Sequence, residues 1–221
     1  MSGLFERAHI KWILAAALLG LLLVLVACNT PAPTSVPATA ELPAAATATL
    51  APQLSPEETA LALGAQALAA LKAQDTVALA ALAHPTQGVR FSPYAFVRDE
   101  DLVFTPAQLS GAFSDSAVHE WGAYDGSGEP INLTFADYYQ EFIFDQDYTT
   151  AEAVSVNERL GQGNSLDNSH EAYPGAMVVE YHFPGFNPDY EGMDWVSLRL
   201  VFQEFEGRWV LVGIIHDQWT I

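Results

Sequence analysis

The chain has 221 residues, with 27 Asp and Glu against 8 Lys and Arg, a formal net charge of −19. So acidic a surface excludes nucleic acid as a partner, because holding phosphates takes clustered Lys and Arg, and it is repelled by anionic lipid headgroups. Hydrophobic residues make up 50% of the chain, enough for a core, and one cysteine leaves no intrachain disulfide to staple it.

Arg7 and Lys11 precede an apolar run over residues 12–27 that only Gly20 interrupts. A basic flank, an apolar segment and small residues before a cut make a secretory signal. The alternative is an uncleaved membrane helix, but the run is shorter than the roughly 20 residues a span needs. It ends in Leu25-Val26-Ala27-Cys28, and this Leu-x-Ala-Cys ending resembles the lipobox of bacterial lipoproteins. The resemblance implies a diacylglyceryl group on the Cys28 sulfur and removal of residues 1–27. Two acyl chains hold stably where one binds marginally. The expected location is extracytoplasmic, lipid-anchored to the bacterial cell membrane through Cys28. Without Glu6, Arg7 and Lys11 the remainder carries 6 basic against 26 acidic side chains, a charge for which solubility is a sufficient reason.

Residues 28–54 form a Pro/Ala/Thr-rich tether with Glu41 its only charge. Its prolines disfavour helix and favour extended chain, at about 3 Å per residue. A single folded domain is expected over residues 55–221. It opens with Ser55-Pro56-Glu57-Glu58, which combines a cap, a first-turn proline and a capping box. Leu61, Ala65, Leu68 and Leu71 follow at helical spacing. Asp75 caps a second short helix, 77–83, that Pro85 ends.

From Gly88 the pattern turns to strand. Residues 89–97 are β-rich, with Pro93 marking an edge or a bulge. A short helix begins near Thr105-Pro106. Residues 118–124 and 130–134 flank the turn Asp125-Gly126-Ser127-Gly128, and an aromatic helix over 135–144, capped by Thr134, turns Tyr138 and Phe142 inward. After a strand at 153–156 comes a Gly/Asn/Ser-rich loop, 161–174. Strands at 178–183, 196–205 and 208–216 close the domain, the last two joined by a tight turn at Glu206-Gly207.

A helical pair followed by mixed strands and long antiparallel strands, ending in Gly207-Arg208-Trp209-Val210-Leu211-Val212-Gly213-Ile214, resembles the nuclear transport factor-like (cystatin-like) α+β superfamily. The opening Ala69-Ala70-Leu71-Lys72-Ala73-Gln74-Asp75 with its second short helix is similar too. The resemblance covers residues 56–84 and 176–219. It implies an N-terminal helical pair packed on a curved, mainly antiparallel sheet, a cone whose members include isomerases, dehydratases and polyketide cyclases as well as binding domains without catalysis. Fold alone gives no reaction.

Strand alternation places Val179, Tyr181 and Phe183 on one face and Glu180 and His182 on the other. Arg199 and Gln203 share a face opposite Leu198, Leu200 and Phe202, and His216 and Asp217 end the last strand, beside Trp219. If the polar faces coincide, Glu180, His182, Arg199 and His216 converge in the mouth of the cone, where a histidine beside a carboxylate suits proton transfer. The plainer reading is a solvated sheet face with a Glu180–Arg199 cross-strand pair. His182 and His216 with Glu180 or Asp217 would suit zinc, but no ligand spacing supports it, so no metal and no cofactor are assigned. The stretch Asp125–Glu129 is spaced like a calcium loop but lacks the glutamate at position twelve, and a hairpin turn explains it. Phe186 and Trp195 mark an aromatic loop suited to a partner, or else a plug for the cone.

These residues point first to a membrane-anchored, non-enzymatic domain that binds a small ligand or an envelope protein. The alternatives are an acid–base enzyme (isomerase, lyase or hydrolase) of the cone fold and a structural accessory domain of an envelope complex. A homodimer through the exposed sheet is a further expectation from the resemblance.

Overall fold

The computed structural model describes residues 54–220, so the signal segment 1–27, Cys28 and all of the tether except Leu54 lie outside the described residues. The chain then enters α1 (Pro56–Lys72) through the expected capping box. The Ser55 hydroxyl accepts from the Glu58 N–H, and the Glu58 carboxylate accepts from the Ser55 N–H at 2.8 Å. The Asp75 carboxylate caps α2 (Thr76–Leu82) by accepting from the Ala78 N–H at 2.9 Å.

The buried face of α1 departs from the expected stripe. Ala60, Gly64, Ala67, Leu68 and Leu71 face inward, while Leu61 and Ala65 are exposed. The reason lies on the sheet beneath. A Cβ on Gly64 would meet the Tyr181 hydroxyl at 2.4 Å, so the helix seats through its smallest residues and turns Leu61 outward.

Six strands make the main sheet: β1 (Val89–Ser92), β2 (Val103–Phe104), β5 (Ala153–Val156), β6 (Met177–Phe183), β7 (Val196–Phe205) and β8 (Arg208–Gln218). Their order is β2-β1-β8-β7-β6-β5, and every pair is antiparallel except β1 on β8. β1 stops at Ser92 instead of running to 97, because Pro93 has no N–H to extend the ladder. β3 (His119–Ala123) and β4 (Pro130–Leu133) pair as a separate two-stranded sheet around the expected turn, where Gly126 and Gly128 take φ of 82° and 71°.

This hairpin is preceded by α3 (Pro106–Gly111), with a Thr105–Gln108 capping box, and followed by α4 (Phe135–Tyr138), capped by Thr134. The expected aromatic helix over 135–144 is split. After Tyr138 it widens into a π-helical turn, Tyr139–Ile143, in which the Phe144 N–H reaches back to the Tyr139 carbonyl at 2.7 Å. That turn buries Tyr139 together with Tyr138 and Phe142, and the Tyr139 hydroxyl donates to the Leu71 carbonyl at 2.6 Å.

One face of the sheet packs on α1, α2 and a mass of rings. Trp121 stacks on Tyr138 at 3.8 Å, Phe91 meets Trp121 and Phe135 edge-on, and Phe113 meets Phe135 at 5.2 Å. Aromatic side chains thus fill the inside of the cone. The other face is covered as well. Residues 157–176, including the short helix α5 (Ser169–Ala172), lie across it, and Tyr173 and Ala176 pack with Val97 on Val178, Val201, Val212 and Ile215. The result is the α+β arrangement that the resemblance implies, a helical pair on a curved and mainly antiparallel sheet, with a third layer of loop over the outer face.

Candidate functional site

Glu180, Arg199 and Asp217 come together on the outer sheet face, as the alternation of β6 and β7 dictates, but none of them meets solvent. Ladder register sets them side by side: Glu180 pairs with Arg199, and Ser197 pairs with both His182 and Asp217. The Arg199 guanidinium pairs with Asp217, lies 3.6 Å from Glu180 through Nε and 3.1 Å from Asp167 through Nη1. Arg159 adds a second guanidinium, donating to Asp217 at 2.9 Å and to the Ser165 carbonyl at 2.9 Å. Two guanidinium groups therefore sit among three carboxylates beneath the 157–176 loop. Sequence reasoning missed Arg159 and Asp167 because both lie in that loop, where no strand alternation points to a partner.

Glu180 is saturated. Its carboxylate accepts from the backbone N–H groups of Leu160 and Gly161 at 3.0 and 2.9 Å and from the Ser197 hydroxyl at 2.6 Å. Since Ser197 gives its proton to Glu180, its oxygen is left to accept from His182 Nδ1–H, 2.8 Å away. Burial lowers the His182 pKa, only partly offset by the carboxylates of Glu180, Asp217 and Glu152. Burial raises the Asp217 carboxyl against the pull of Arg199 and Arg159. Burial also acts to raise Asp167, but Arg199, hydrogen bonds from Ser169 and Arg159 outweigh it and hold that carboxyl low.

His216 does not join this group, which corrects the expected convergence. It pairs with Leu198 and faces the core. There its ring meets Phe142 edge-on at 5.6 Å, its Nδ1 lies 3.2 Å from the Pro93 carbonyl oxygen and its Nε2 is 3.5 Å from Asp145. Gln203 shares the Arg199 face but lies further along β7, in a separate cleft with Arg90, Asn168 and Tyr173.

Trp195 is no open-loop aromatic either. It is buried, and a Cβ on Gly161 would meet its ring at 2.4 Å, so it clamps the covering loop. Trp219 is half-buried and donates its backbone N–H to the Trp195 carbonyl. Phe186 is exposed as expected, in a loop fixed by the Asp194 carboxylate, which accepts from the Phe186 and Asn187 N–H groups at 3.0 and 2.8 Å. Among the described residues no group of three or more His, Cys, Asp or Glu is arranged to hold a metal ion.

An open cleft with aromatic walls lies elsewhere. Of about 580 Å³, it lies where four segments meet: the chain after β1, the β3–β4 turn, residues 164–166 of the covering loop, and Thr220. Tyr94, Phe96, Arg98, Tyr124, Asp125 and Leu166 line it, with Phe96 46% and Leu166 75% exposed. Hydrogen bonds tie these walls to one another and to the sheet. The Tyr94 hydroxyl accepts from the Asp125 N–H at 3.1 Å, Asn168 bonds both backbone groups of Val97, and Ser165 donates to Asp217 at 3.3 Å. Asp101 completes the floor, accepting from the Ser92 hydroxyl and the Arg98 N–H, and burial raises its carboxyl. Sequence alone offered no signal for this site, since its parts are far apart in the chain and belong to irregular segments.

No protein-family model matches the chain, and no curated protein matches it. Solved structures give distant likenesses. A candidate calcium/calmodulin-dependent protein kinase II association domain from Xanthomonas campestris is 16% identical over 72% of this chain and 84% of its own, with a TM-score of 0.33. A candidate dehydratase of the NTF2-like family from Streptomyces avermitilis is 13% identical over 74% and 97%, with a TM-score of 0.28. A DUF4783 family protein from Bacteroides ovatus is 9% identical over 71% and 94%, with a TM-score of 0.26. Similarity this distant says nothing of what the chain binds or does.

Proposed function

We propose that the protein is an extracytoplasmic, lipid-anchored, non-enzymatic binding domain whose site is the cleft between the Pro93–Arg98 segment and the β3–β4 turn. The contrast between two sites carries this reading. An acid–base enzyme would need His182 or His216 working with Glu180, yet both rings are buried, His216 lies on the opposite sheet face, and Glu180 already accepts three hydrogen bonds under a closed loop. The cleft has the volume of a small-molecule site, mixed polar and aromatic walls, and little left to organise on binding. The Leu25–Cys28 lipobox supports the anchor.

Two measurements test the reading. Radiolabelled palmitate fed to a bacterial host making the full chain should label the protein and leave Cys28→Ser unlabelled; equal labelling of both removes the anchor. Native mass spectrometry of the full chain released in mild detergent should show an added mass that Tyr124→Leu loses. A bare mass for the parent chain counts against a small ligand. An added protein mass insensitive to Tyr124→Leu moves the site to another surface and favours an envelope-protein partner.

A further inference from the structure

The chemistry of the cleft walls narrows what they hold. Tyr94 and Tyr124 have both hydroxyls engaged, Tyr94 with the Asp125 amide and Tyr124 with Glu141 at 3.3 Å. Their rings are therefore fixed, and Tyr124 packs at 6.1 Å on Phe142, itself buried. Phe96 stands exposed on the rim beside them. Rigid rings give contact area at low entropic cost, and they suit a ligand with a flat C–H face. Around them the groups able to bond a ligand are mostly uncharged: the hydroxyls of Ser127 and Thr220, the Asn164 amide, and the carbonyls of the Gly126–Gly128 turn.

Charge and the pairing of the wall groups argue against the other ligand classes. An anion meets the field of a chain with formal charge −19. A cation is drawn by the same field but meets Arg98 on the wall, and of the two carboxylates there, Asp101 is taken by Ser92 and the Arg98 N–H while Asp125 accepts from the Gly126 N–H. What remains is a neutral ligand with an apolar face and many hydroxyls.

We infer that the cleft binds a neutral carbohydrate of one or two rings, its C–H face against Tyr124 and Phe96 and its hydroxyls toward Asp125, Ser127 and Asn164. The inference rests on the reading of the cleft as the binding site. A wet, polar rim suits such a ligand because hydroxyls exchange water for protein at little net cost, and the rings then supply the preference for one face.

Saturation-transfer NMR on the full chain in detergent micelles tests it with four probes: cellobiose and N,N′-diacetylchitobiose as neutral sugars, glucuronic acid as an anion, and choline as a cation. Transfer should reach the ring C–H protons of a neutral disaccharide, and Phe96→Ala should weaken that binding roughly tenfold. Phe96 is exposed, so its replacement leaves folding intact. No transfer to either neutral sugar overturns the inference. Transfer to choline or glucuronic acid alone, lost in Phe96→Ala, also overturns it but leaves the cleft as the binding site. Sugar transfer unchanged in both Phe96→Ala and Tyr124→Leu removes the cleft itself.

Discussion

Leu198 of β7 and His216 of β8 are cross-strand partners, and this pairing puts the histidine in the core, away from Arg199. Carried straight from the Glu206–Gly207 turn, the ladder would have paired His216 with Ser197 and set it beside Arg199. A bulge intervenes: Val201 pairs with Gly213 but Phe202 with Leu211, leaving Val212 as the extra residue. One extra residue moves every later side chain to the opposite face. Asp217 takes the place among the arginines that His216 would otherwise hold.

Arg199 is the centre of that buried group, and removing it should be among the costliest single changes in the domain. Arg199→Met leaves Glu180 buried without a guanidinium, Asp217 with Arg159 alone, and Asp167 short of a partner. We expect a loss of about 3–5 kcal/mol in urea unfolding. Changing Glu180→Gln in the same chain should return part of it, because Glu180 is the carboxylate left with no guanidinium. A loss under about 1 kcal/mol for Arg199→Met would mean that the loop admits water to the cluster.

The covering loop depends on a close approach that only glycine permits. A Cβ on Gly161 would meet the Trp195 ring at 2.4 Å, and one on Gly163 at 3.1 Å. Gly161→Ala should therefore cost roughly 1–3 kcal/mol and shift Trp195 fluorescence toward the exposed range. Gly111, at the end of α3 with nothing within 4 Å, serves as the control. Gly111→Ala should be neutral or stabilising by up to about 1 kcal/mol. Equal thermal unfolding of the two variants would show that the loop does not press on Trp195.

Local rules carried the elements and stopped at their irregularities. Ser55, Asp75, Thr105 and Thr134 cap helices because each can serve an orphan N–H nearby, which needs no tertiary knowledge. The Glu206–Gly207 turn and the alternation of β6 are legible for the same reason. Glu180, His182 and Arg199 could be named together from alternation, but the exchange of His216 for Asp217 and the burial of the set could not, because a bulge sets the first and the lid is an irregular loop whose grip comes from Arg159, Asp167 and two glycines. The π-turn after Tyr138, the Val212 bulge and the four-segment cleft depend on how elements meet, and no local spacing encodes them.

Acid should weaken the fold through His182. Burial holds its folded pKa below the 6.5 of the free side chain, so between the two values the unfolded chain binds a proton that the folded chain refuses. The stability this represents is complete above pH 6.5 and is lost as pH falls below it. Asp217 works the other way. Its raised carboxyl keeps its proton when the unfolded chain has released one, so its share is present below 3.8 and lost as pH rises through the folded value. The midpoint of thermal unfolding should therefore drop as pH falls from about 7 to about 5. His182→Gln, which can keep a donor toward Ser197, should flatten that drop. Parallel curves for the two proteins would assign the acid sensitivity to other groups.

Gly64 and Tyr181 offer the sharpest test of how α1 seats on the sheet. An alanine in mid-helix is ordinarily favoured over glycine by about 1 kcal/mol. Here the added methyl would lie 2.4 Å from the Tyr181 hydroxyl, and the next ring atom is 3.4 Å away. Gly64→Ala alone should destabilise the domain, since ring and helix must part. In Tyr181→Phe the oxygen is gone, the nearest atom stands at ordinary contact distance, and the same Gly64→Ala should become neutral or stabilising. The two substitutions should thus be strongly non-additive in a double-mutant cycle read by chemical unfolding. Additive behaviour would mean that α1 rides further from β6 than Gly64 implies, and that its small-residue face is not what sets the spacing.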